Sequence, residues 1–269
     1  MDIRKKTDIT HSDVLTLGFI RCGDDCYFRK HHNQGLRSHV MEKLVSGDVE
    51  TETAGVMRDG LLRFPRAIPR AMLRIFKNRF ASLDEVFSEV SKIKILESYL
   101  PRDTYAKSSE FIVGYTSDNT PGAQIGLCGL QEYVDGAILD PWNLVVVEPI
   151  GNMDKFIDGL KKMAAVSFLL PDLAGIGNLK VDQAGNVRLV DINNISTIRF
   201  TPEIDLDDNG YPACDKSIEV LYRLEKKFID PALRVQDDKI YSFFLHPERA
   251  NKAGELEKQF YNRLKHKNI

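Results

Sequence analysis

The sequence contains few cysteines, no long apolar run and almost no net charge. Four cysteines (Cys22, Cys26, Cys128 and Cys214) are too few and too widely spaced for a disulfide framework in a chain of 269 residues. No run of about 18 apolar residues occurs, so the sequence predicts no membrane-spanning helix. The polar opening MDIRKKTDITHSDVLTLGF lacks the apolar core of a secretory signal. These absences together predict a cytoplasmic protein.

The charges are nearly balanced. The sequence has 37 Lys and Arg against 39 Asp and Glu, which gives a formal net charge of −2. Such a balance provides no global attraction to nucleic acid or to membranes, so either partner would need a local patch. A hydrophobic content of 43% and a charged content of 28% are typical of a soluble globular protein. The length allows one large domain or two lobes.

The stretch GIGNLKVDQAGNVRLVDINNIS, residues 175–196, predicts two short strands joined by a glycine-containing turn. Asn178 precedes the first strand and Asp191 follows the second. Because a hairpin fixes the separation of its ends, these oxygen-bearing side chains are candidates to hold Mg²⁺ with a nucleotide. The alternative is that Asn178 caps a turn and Asp191 caps the segment after a strand.

The rest of the chain predicts an alternation of strands and helices. Residues 45–65 suggest strands with a tight turn at Asp59-Gly60. Residues 65–101 have a helical period, with Ser82 as a helix N-cap. The remaining predicted elements are strands at 109–117 and 123–134, a helix at about 152–170 and helices after 213.

This order of elements resembles the protein-kinase-like fold. In that family the catalytic-loop Asn and the Asp of the DFG motif both hold Mg²⁺ and flank a hairpin. Asn178 and Asp191 are thirteen residues apart, which is the family's spacing. TPE, residues 201–203, lies where the family has its A-P-E motif.

Other segments match the family in the same order. LQEYVDG (130–136) resembles the hinge, where backbone groups near Glu132 and Val134 would receive an adenine edge. FSEVSKIKILESYLP resembles the αC helix and gives Glu89 the role of the ion-pair glutamate. GVMRDGLLRFP resembles the hairpin formed by the second and third strands of the family's N-lobe. This gives Arg63 the role of the phosphate-binding lysine. A solvated helix face is the plainer interpretation of Glu89, and an ordinary strand end that of Glu132.

The sequence also departs from the family pattern. Asp172 is the only acid available as the catalytic base, and it lies six residues before Asn178 where the family has five. The predicted phosphate loop, SGDVETETAG, keeps Gly47 but is crowded with acidic residues. The exchange of lysine for arginine at position 63 is not conservative at a phosphate site.

The resemblance implies an α+β, two-lobed protein-kinase-like fold, with a mostly antiparallel-sheet N-lobe and a short helical C-lobe. The N-lobe would span 1–132, including an extension at 1–44 with no assigned role, and the C-lobe would span 133–269. The implied activity is an atypical phosphotransfer from Mg-ATP, with Asp172 orienting or deprotonating the acceptor hydroxyl. Glu203 lies only twelve positions after Asp191, which favours a small-molecule or glycan hydroxyl over a protein substrate.

An alternative function is a catalytically inactive pseudokinase that serves as a binding or regulatory module. Residues 58–79 are unusually basic and predict a helix, on which Arg66, Arg70, Arg74 and Lys77 fall at helical spacing. Such a face could contact an acidic protein or a membrane surface, or could simply be solvated. An unrelated α+β protein with a fortuitous hairpin is the third interpretation.

Overall fold

The structure, a computed structural model, describes residues 2–20, 23, 25–31, 37–117, 120–144 and 149–267. The chain divides into two compact units, the first made of 1–90 and 107–133 and the second of 91–106 and 134–269. The prediction assigns 91–106 to the N-lobe, whereas in the structure these residues belong to the second unit.

The described residues form seven α-helices and twelve strands, with short 3₁₀ helices at Ile3–Lys5 and Val235–Asp237. The helices are α1 (His11–Leu15), α2 (Ser46–Ala54), α3 (Leu83–Tyr99), α4 (Met153–Ser167), α5 (Ala213–Phe228), α6 (Lys239–Phe244) and α7 (Pro247–Lys267). The strands are β1 (Cys26–Lys30), β2 (Ser38–Val45), β3 (Val56–Arg58), β4 (Leu61–Arg63), β5 (Ala71–Phe76), β6 (Ser108–Ser117), β7 (Thr120–Gln131), β8 (Gly136–Ile138), β9 (Leu169–Pro171), β10 (Leu179–Asp182), β11 (Val187–Leu189) and β12 (Ile195–Thr197). The ladders between these strands are antiparallel, so the predicted α+β class with antiparallel sheets is confirmed.

The first unit is built on a five-stranded sheet in the order β1-β2-β5-β7-β6. Its central strand is β5, five of whose six residues are buried. Leu73 and Ile75 join one apolar cluster, whereas Phe76 joins a second cluster with Val86 of α3. Because successive residues of a strand point to opposite faces, both faces of β5 are covered.

The helix predicted over residues 58–79 is wrong. This region contains the hairpin β3–β4, an irregular segment with Pro65 and Pro69, and then strand β5. A short apolar run that is buried on both faces can be mistaken for a helix by its period. The two prolines also oppose a continuous helix, because each removes a backbone donor. Arg66, Arg70, Arg74 and Lys77 therefore do not share a helical face.

The strand predicted at the start of residues 45–65 is also wrong, since Ser46–Ala54 is helix α2. The acidic sequence showed no helical apolar period because no residue of α2 is buried. The helix ends at Gly55, whose φ of 79° is readily adopted by glycine. The predicted turn at Asp59-Gly60 is confirmed, with φ values of 52° and 76°.

Helix α3 begins where its capping signal predicts. The Ser82 hydroxyl accepts a hydrogen bond from the Glu85 N–H at 3.3 Å, and the Glu85 carboxylate accepts one from the Ala81 N–H at 2.7 Å. The helix ends at Tyr99, shortly before Pro101. These local signals were sufficient because they do not depend on distant residues.

The second unit has a large apolar core formed mainly by α4, α5 and the small sheets. The predicted hairpin is confirmed as β10–β11, with Leu179 opposite Leu189. Strand β8 extends this hairpin into a three-stranded sheet, and β9 pairs with β12. The ends of β9, β10 and β11 carry the three residues Asp172, Asn178 and Asp191.

Among the described residues, no helix combines the length and hydrophobicity that a membrane crossing requires. Cys128 and Cys214 are buried free thiols, whereas Cys26 is disulfide-bonded. The cysteine count did not predict this disulfide, and Cys22 lies outside the described residues. Disulfides persist mainly in oxidising compartments. The cytoplasmic location stays a prediction, and the disulfide of Cys26 is not a feature typical of that compartment.

Candidate functional site

Asp172 lies directly after β9 and is held by the segment that precedes β12. Its N–H donates to the Asn194 carbonyl at 2.7 Å, and its carboxylate accepts a hydrogen bond from the Asn194 side-chain amide at 3.0 Å. The Ala174 N–H donates to the same carboxylate at 2.9 Å. Asp172 is 8% exposed. The carboxyl group is therefore buried in a fixed orientation.

The pKa of Asp172 is raised to about 6, first by burial of the carboxyl group and then by the negative charge of Asp191. Hydrogen bonds from Ala174, Gly175 and Asn194 oppose this rise. A carboxyl group with this pKa is mostly ionised at neutral pH, and it takes up a proton at a pH only slightly below neutral. Such a value suits a general base.

The side chain of Asn178 is oriented by Asp172. Its amide Nδ2 donates to the Asp172 backbone carbonyl at 2.9 Å. Because the amide nitrogen donates this hydrogen bond, the orientation of the side chain is fixed. The amide oxygen can accept a hydrogen bond or bind a cation. The Asn178 N–H donates to the Gly175 carbonyl at 3.0 Å, which closes the turn before β10.

Asp191 is joined to this arrangement through the backbone of its neighbour. The Val190 N–H donates to the Asn178 carbonyl at 2.7 Å, so the two ends of the hairpin are tied together. Asp191 is half-buried, and its charge acts on Asp172. The structure therefore brings Asp172, Asn178 and Asp191 into one cluster within the second unit.

Gly175 is required by the close approach of Asn178. A Cβ at position 175 would lie 2.6 Å from the Asn178 Nδ2 and 2.9 Å from its Oδ1. Contacts this short do not occur in stable proteins, so a side chain here would displace the amide. Gly175 thus fixes the position of a candidate ligand without contacting a ligand itself.

Two groups outside the predicted set support the loop that carries Asp172. The Ser217 hydroxyl, on α5, accepts a hydrogen bond from the Leu173 N–H at 3.1 Å. The indole of Trp142, the only tryptophan, donates to the Ala174 carbonyl at 3.0 Å. Sequence reasoning missed both residues because their roles depend on contacts far apart in the chain.

Two asparagines after β11 carry buried polar atoms without protein partners. In the part of the chain that the structure describes, this holds for both side-chain amide atoms of Asn193 and for the Oδ1 of Asn194. Buried amide atoms are nearly always hydrogen-bonded, so such atoms call for water, an ion or a ligand. The sequence DINN places both asparagines just after Asp191, but the pattern alone does not indicate that their side chains are buried.

The donor set is compatible with Mg²⁺. Among the described residues, no group of three His, Cys, Asp or Glu side chains could form a metal site by itself. Mg²⁺ differs from zinc in that it retains waters and is held by one or two carboxylates together with substrate phosphates. Asp191 and the amide oxygen of Asn178 meet this lower requirement.

A buried ion pair fixes the segment that follows β12. The Arg249 guanidinium contacts both carboxylate oxygens of Asp215, at 2.6 Å and 3.1 Å. The same guanidinium donates to the carbonyls of Thr201 at 2.6 Å and Glu203 at 3.4 Å. The TPE segment is therefore attached to α5 and α7, and Asp215 has a structural role there.

The remaining predicted residues lie elsewhere. Gly47, which was predicted to lie in a phosphate loop, is in helix α2. Arg63 is exposed on the separate hairpin β3–β4, where its guanidinium is 4.0 Å from the Asp59 carboxylate. Glu89 is half-buried on α3.

The predicted hinge groups each have a bond recorded in their own unit. The Glu132 N–H donates to the Lys107 carbonyl at 2.8 Å. The Val134 carbonyl accepts a hydrogen bond from the Lys180 ammonium at 2.9 Å. Of the eight predicted site residues, only Asp172, Asn178 and Asp191 form the cluster described above.

A comparison with models of protein families finds no match, and a comparison with curated proteins finds none either. The geometry of the cluster is therefore the basis on which a function can be argued.

Proposed function

We propose that the protein is a compact kinase-like phosphotransferase that uses Mg-ATP to phosphorylate a hydroxyl group of a small molecule or glycan. The observation that carries this proposal is the joint positioning of Asp172, Asn178 and Asp191 at the ends of three short strands. The hydrogen bonds of Asp172 and Asn178 fix a carboxylate and an amide oxygen close to a second carboxylate, that of Asp191.

The fold supports this proposal. A protein-kinase-like N-lobe has its phosphate-binding cation on the third strand, which is followed by the αC helix. The five-stranded sheet of the first unit has β5 as its third strand in chain order, and α3 follows it. The second unit is mainly helical and carries the hairpin β10–β11.

This alignment of elements changes the proposed phosphate-binding cation. Arg74 is the fourth residue of the β5 sequence AMLRIF, where three apolar residues precede a cation as in the V-A-I-K motif. It is also buried, whereas Arg63 is exposed on a hairpin outside the sheet. Arg74 therefore replaces Arg63 in the proposal, and Glu89 remains its proposed ion-pair partner.

Asp172 would act on the acceptor hydroxyl. Its buried carboxylate is held by Ala174 and Asn194, so that it can orient a hydroxyl and accept its proton. In phosphoryl transfer most of the catalytic effect comes from positioning and charge neutralisation. A fixed base with a pKa near 6 suits this role at neutral pH.

Asn178 and Asp191 would hold Mg²⁺, with the Asn178 oxygen presented by the bond from its amide nitrogen to Asp172. Mg²⁺, when bound, neutralises charge on the phosphates of ATP. The unpartnered amide of Asn193 lies two residues from Asp191 and would contribute a hydrogen bond to water or phosphate at the same end of the hairpin.

The substrate class follows from the limited room after the metal-binding segment. Glu203 lies twelve positions after Asp191, and Arg249 holds the end of this segment by hydrogen bonds to two of its carbonyls. A short, fastened segment cannot form a long loop that docks a peptide. This favours a small hydroxyl compound as the acceptor.

Binding of ATP is tested by thermal unfolding with and without Mg²⁺. At about 100 times its dissociation constant, a ligand adds about 2.7 kcal/mol to the free energy of unfolding. We expect a Mg²⁺-dependent rise in the melting temperature of the parent protein that is absent in Asp191→Ala. Trp142 fluorescence provides a second readout, because its indole contacts the Asp172 loop.

The matched control is Asp158→Ala, since Asp158 is an exposed carboxylate on α4 whose recorded partner is Lys162. This variant should retain the full shift. No Mg-ATP shift in the parent protein, or an equal shift in Asp191→Ala, would contradict the proposal. Phosphate transfer to a panel of hydroxyl compounds, lost in Asp172→Asn, separates an enzyme from a nucleotide-binding pseudokinase.

The alternative function, a binding module, is supported by a different surface from the predicted helix. The hairpin β3–β4 and the segment after it form an exposed apolar and basic surface, here called the hairpin patch. Its apolar members are 55–63% exposed and comprise Met57, Leu61, Leu62, Phe64 and Ile68. Its exposed cations are Arg58, Arg63, Arg66 and Arg70. A group of exposed apolar side chains of this kind is typical of an interaction site.

A further inference from the structure

The second unit contains a groove of about 570 Å³ between α4, α5 and the N-terminal part of α6. Its apolar lining includes Ala165, Phe168, Phe200, Leu221 and Ile240. The volume lies within the range of sites for small organic ligands. None of these residues belongs to the cluster around Asp172, so the groove is a separate site.

The polar groups in the floor of the groove are satisfied by one another. Tyr241 donates from its hydroxyl to the Glu225 carboxylate at 2.6 Å, and the Lys161 ammonium contacts the same carboxylate at 2.5 Å. Lys161 also lies 3.6 Å from Asp238. Lys161 is one cation between the two carboxylates of Glu225 and Asp238, so this part of the lining has a net negative charge. The carboxylate of a ligand would be repelled from it and directed to the rim, which leaves the apolar part of the ligand in the groove.

The rim of the groove carries one cation that is not neutralised in this way. Two rim charges have ion-pair partners: Lys162 with Asp158, and Asp237 with Arg234. Within the described part of the chain, Lys239 has no recorded acidic partner, and its ammonium lies 5.4 Å from the centre of the Phe200 ring. An anionic group at the mouth of the groove would complement this charge.

Phe168 is held in the groove lining at a conformational cost. Its φ of 53° and ψ of 36° are left-handed, and it ends helix α4 where glycine is the usual residue. The residue is nevertheless 48% exposed, so burial in the core does not explain the choice of phenylalanine. An aromatic ring kept in a strained position beside a cavity is consistent with a ligand contact.

We propose that this groove binds a small amphipathic carboxylate, with its apolar body against Phe168, Phe200 and Leu221 and its carboxylate against Lys239. Chemically this class includes fatty acids and apolar carboxylic acids of similar size. The proposal does not depend on the activity of the Asp172 cluster.

Calorimetric titration with dodecanoate, below the concentration at which it forms micelles, tests the proposal on the full chain. Dodecanol and dodecylammonium serve as the uncharged and cationic comparisons. We expect saturable binding of dodecanoate with one site per chain and at least tenfold weaker binding of the other two compounds, because only the carboxylate pairs with Lys239. The absence of saturable dodecanoate binding would overturn the proposal.

Two substitutions locate the site. Ala165→Glu places a negative charge in the lining and should weaken dodecanoate binding at least tenfold, as should Lys239→Gln. The matched control is Val166→Glu, because Val166 is the next residue of α4, is 67% exposed and lies outside the lining. Equal affinities of Ala165→Glu and Val166→Glu would show that the ligand binds elsewhere.

Substitutions at Phe168 separate ligand binding from folding. Both Phe168→Gly and Phe168→Ala remove the ring and should lower the affinity for dodecanoate. Phe168→Gly should melt at a higher temperature than Phe168→Ala, since only glycine adopts the left-handed conformation without strain. Unchanged affinity in both variants would exclude the ring from the site and contradict the proposal.

Discussion

At the scale of single residues, Asp172 shows how burial and hydrogen bonding can be set against each other at one carboxyl group. Burial and the charge of Asp191 favour the protonated form, whereas the bonds from Ala174 and Asn194 favour the ionised form. The outcome is a group that is more easily protonated in the folded protein than in the unfolded chain. Its titration must therefore affect stability.

The sign of this effect follows from linkage. The folded-state pKa of about 6 lies above the unfolded value of 3.8, so the stabilising contribution is fully present below pH 3.8 and is lost as pH rises through 6. Asp172→Asn removes the titration. The free energy of unfolding of the variant minus that of the parent should therefore increase with pH, by about 3 kcal/mol over the whole range. Urea denaturation between pH 4 and pH 8 measures this difference.

Asp158→Asn is the control for this measurement, since Asp158 is an exposed carboxylate on α4. The same difference, measured for this variant, is the baseline for the comparison. A difference for Asp172→Asn that does not rise with pH relative to this baseline would mean that Asp172 titrates as it does in the unfolded chain. In that case its assignment as a base with a raised pKa would fail.

At the scale of elements, the site depends on the turn that connects β9 to β10. This turn holds Gly175 against the Asn178 amide, while the neighbouring Gly177 has a φ of 94°. The strands themselves are only three or four residues long. The precision of the site therefore comes from the hydrogen bonds of the turn and from the supporting contacts of Ser217 and Trp142.

Gly175→Ala tests this dependence. The new methyl group would overlap the Asn178 side chain, so we expect a loss of about 1–3 kcal/mol in the free energy of unfolding and a loss of the Mg-ATP melting shift. Gly254→Ala is the same substitution at a position in helix α7 where a Cβ meets no atom within 4 Å. It should instead stabilise the protein by up to about 1 kcal/mol. Chemical denaturation of both variants gives the comparison, and equal effects would contradict it.

Local signals predicted several elements correctly, and contacts between distant residues explain those that were missed. The Ser82 cap, the Asp59-Gly60 turn and the β10–β11 hairpin are each encoded within a few adjacent residues. Strand β5 was mistaken for a helix because its faces are covered by residues distant in the chain, Ile9 and Val14 on one side and Val86 of α3 on the other. Helix α2 has no apolar face, and one of its supports is the pair of Glu52 with Arg29 on β1, at 2.5 Å.

At the scale of the whole molecule, chain order predicted the α+β class but not the extent of the two units. Residues 91–106 belong to the second unit because Ile93, Leu96 and Leu100 are part of its core. Helix α3 therefore contributes to both cores, and no composition shift in the sequence indicates the division. Of the predicted site residues, only Asp172, Asn178 and Asp191 lie together, because they adjoin the short strands of one small region.

Although the net charge is only −2, the charged residues are unevenly distributed along the chain. The hairpin patch has four exposed arginines against one acid, Asp59, and it is also apolar. Met57 lies opposite Leu62 in the β3–β4 register, so both side chains are on the same face. Leu62 and Phe64 both lie beside Gly55, where a Cβ would be within 3.0 Å of each. By the same register, Arg58 and Arg63 lie on the opposite face of the hairpin. A hairpin that carries both apolar and cationic side chains matches the interface of an anionic membrane.

Binding to lipid vesicles tests this match. Vesicles that contain phosphatidylserine should bind the full chain, and neutral phosphatidylcholine vesicles should bind it more weakly, because each arginine near an anionic surface contributes about 1 kcal/mol. Replacing Arg58 and Arg63 by Gln should weaken vesicle binding and make it less sensitive to salt. Replacing Leu62 and Phe64 by Ser should instead weaken the binding that remains at high salt. Arg102→Gln, at an exposed arginine outside the hairpin patch, is the control and should bind as the parent does. Cosedimentation over a range of salt concentrations gives these values, and equal binding to neutral and anionic vesicles would rule out the membrane as the partner of the hairpin patch.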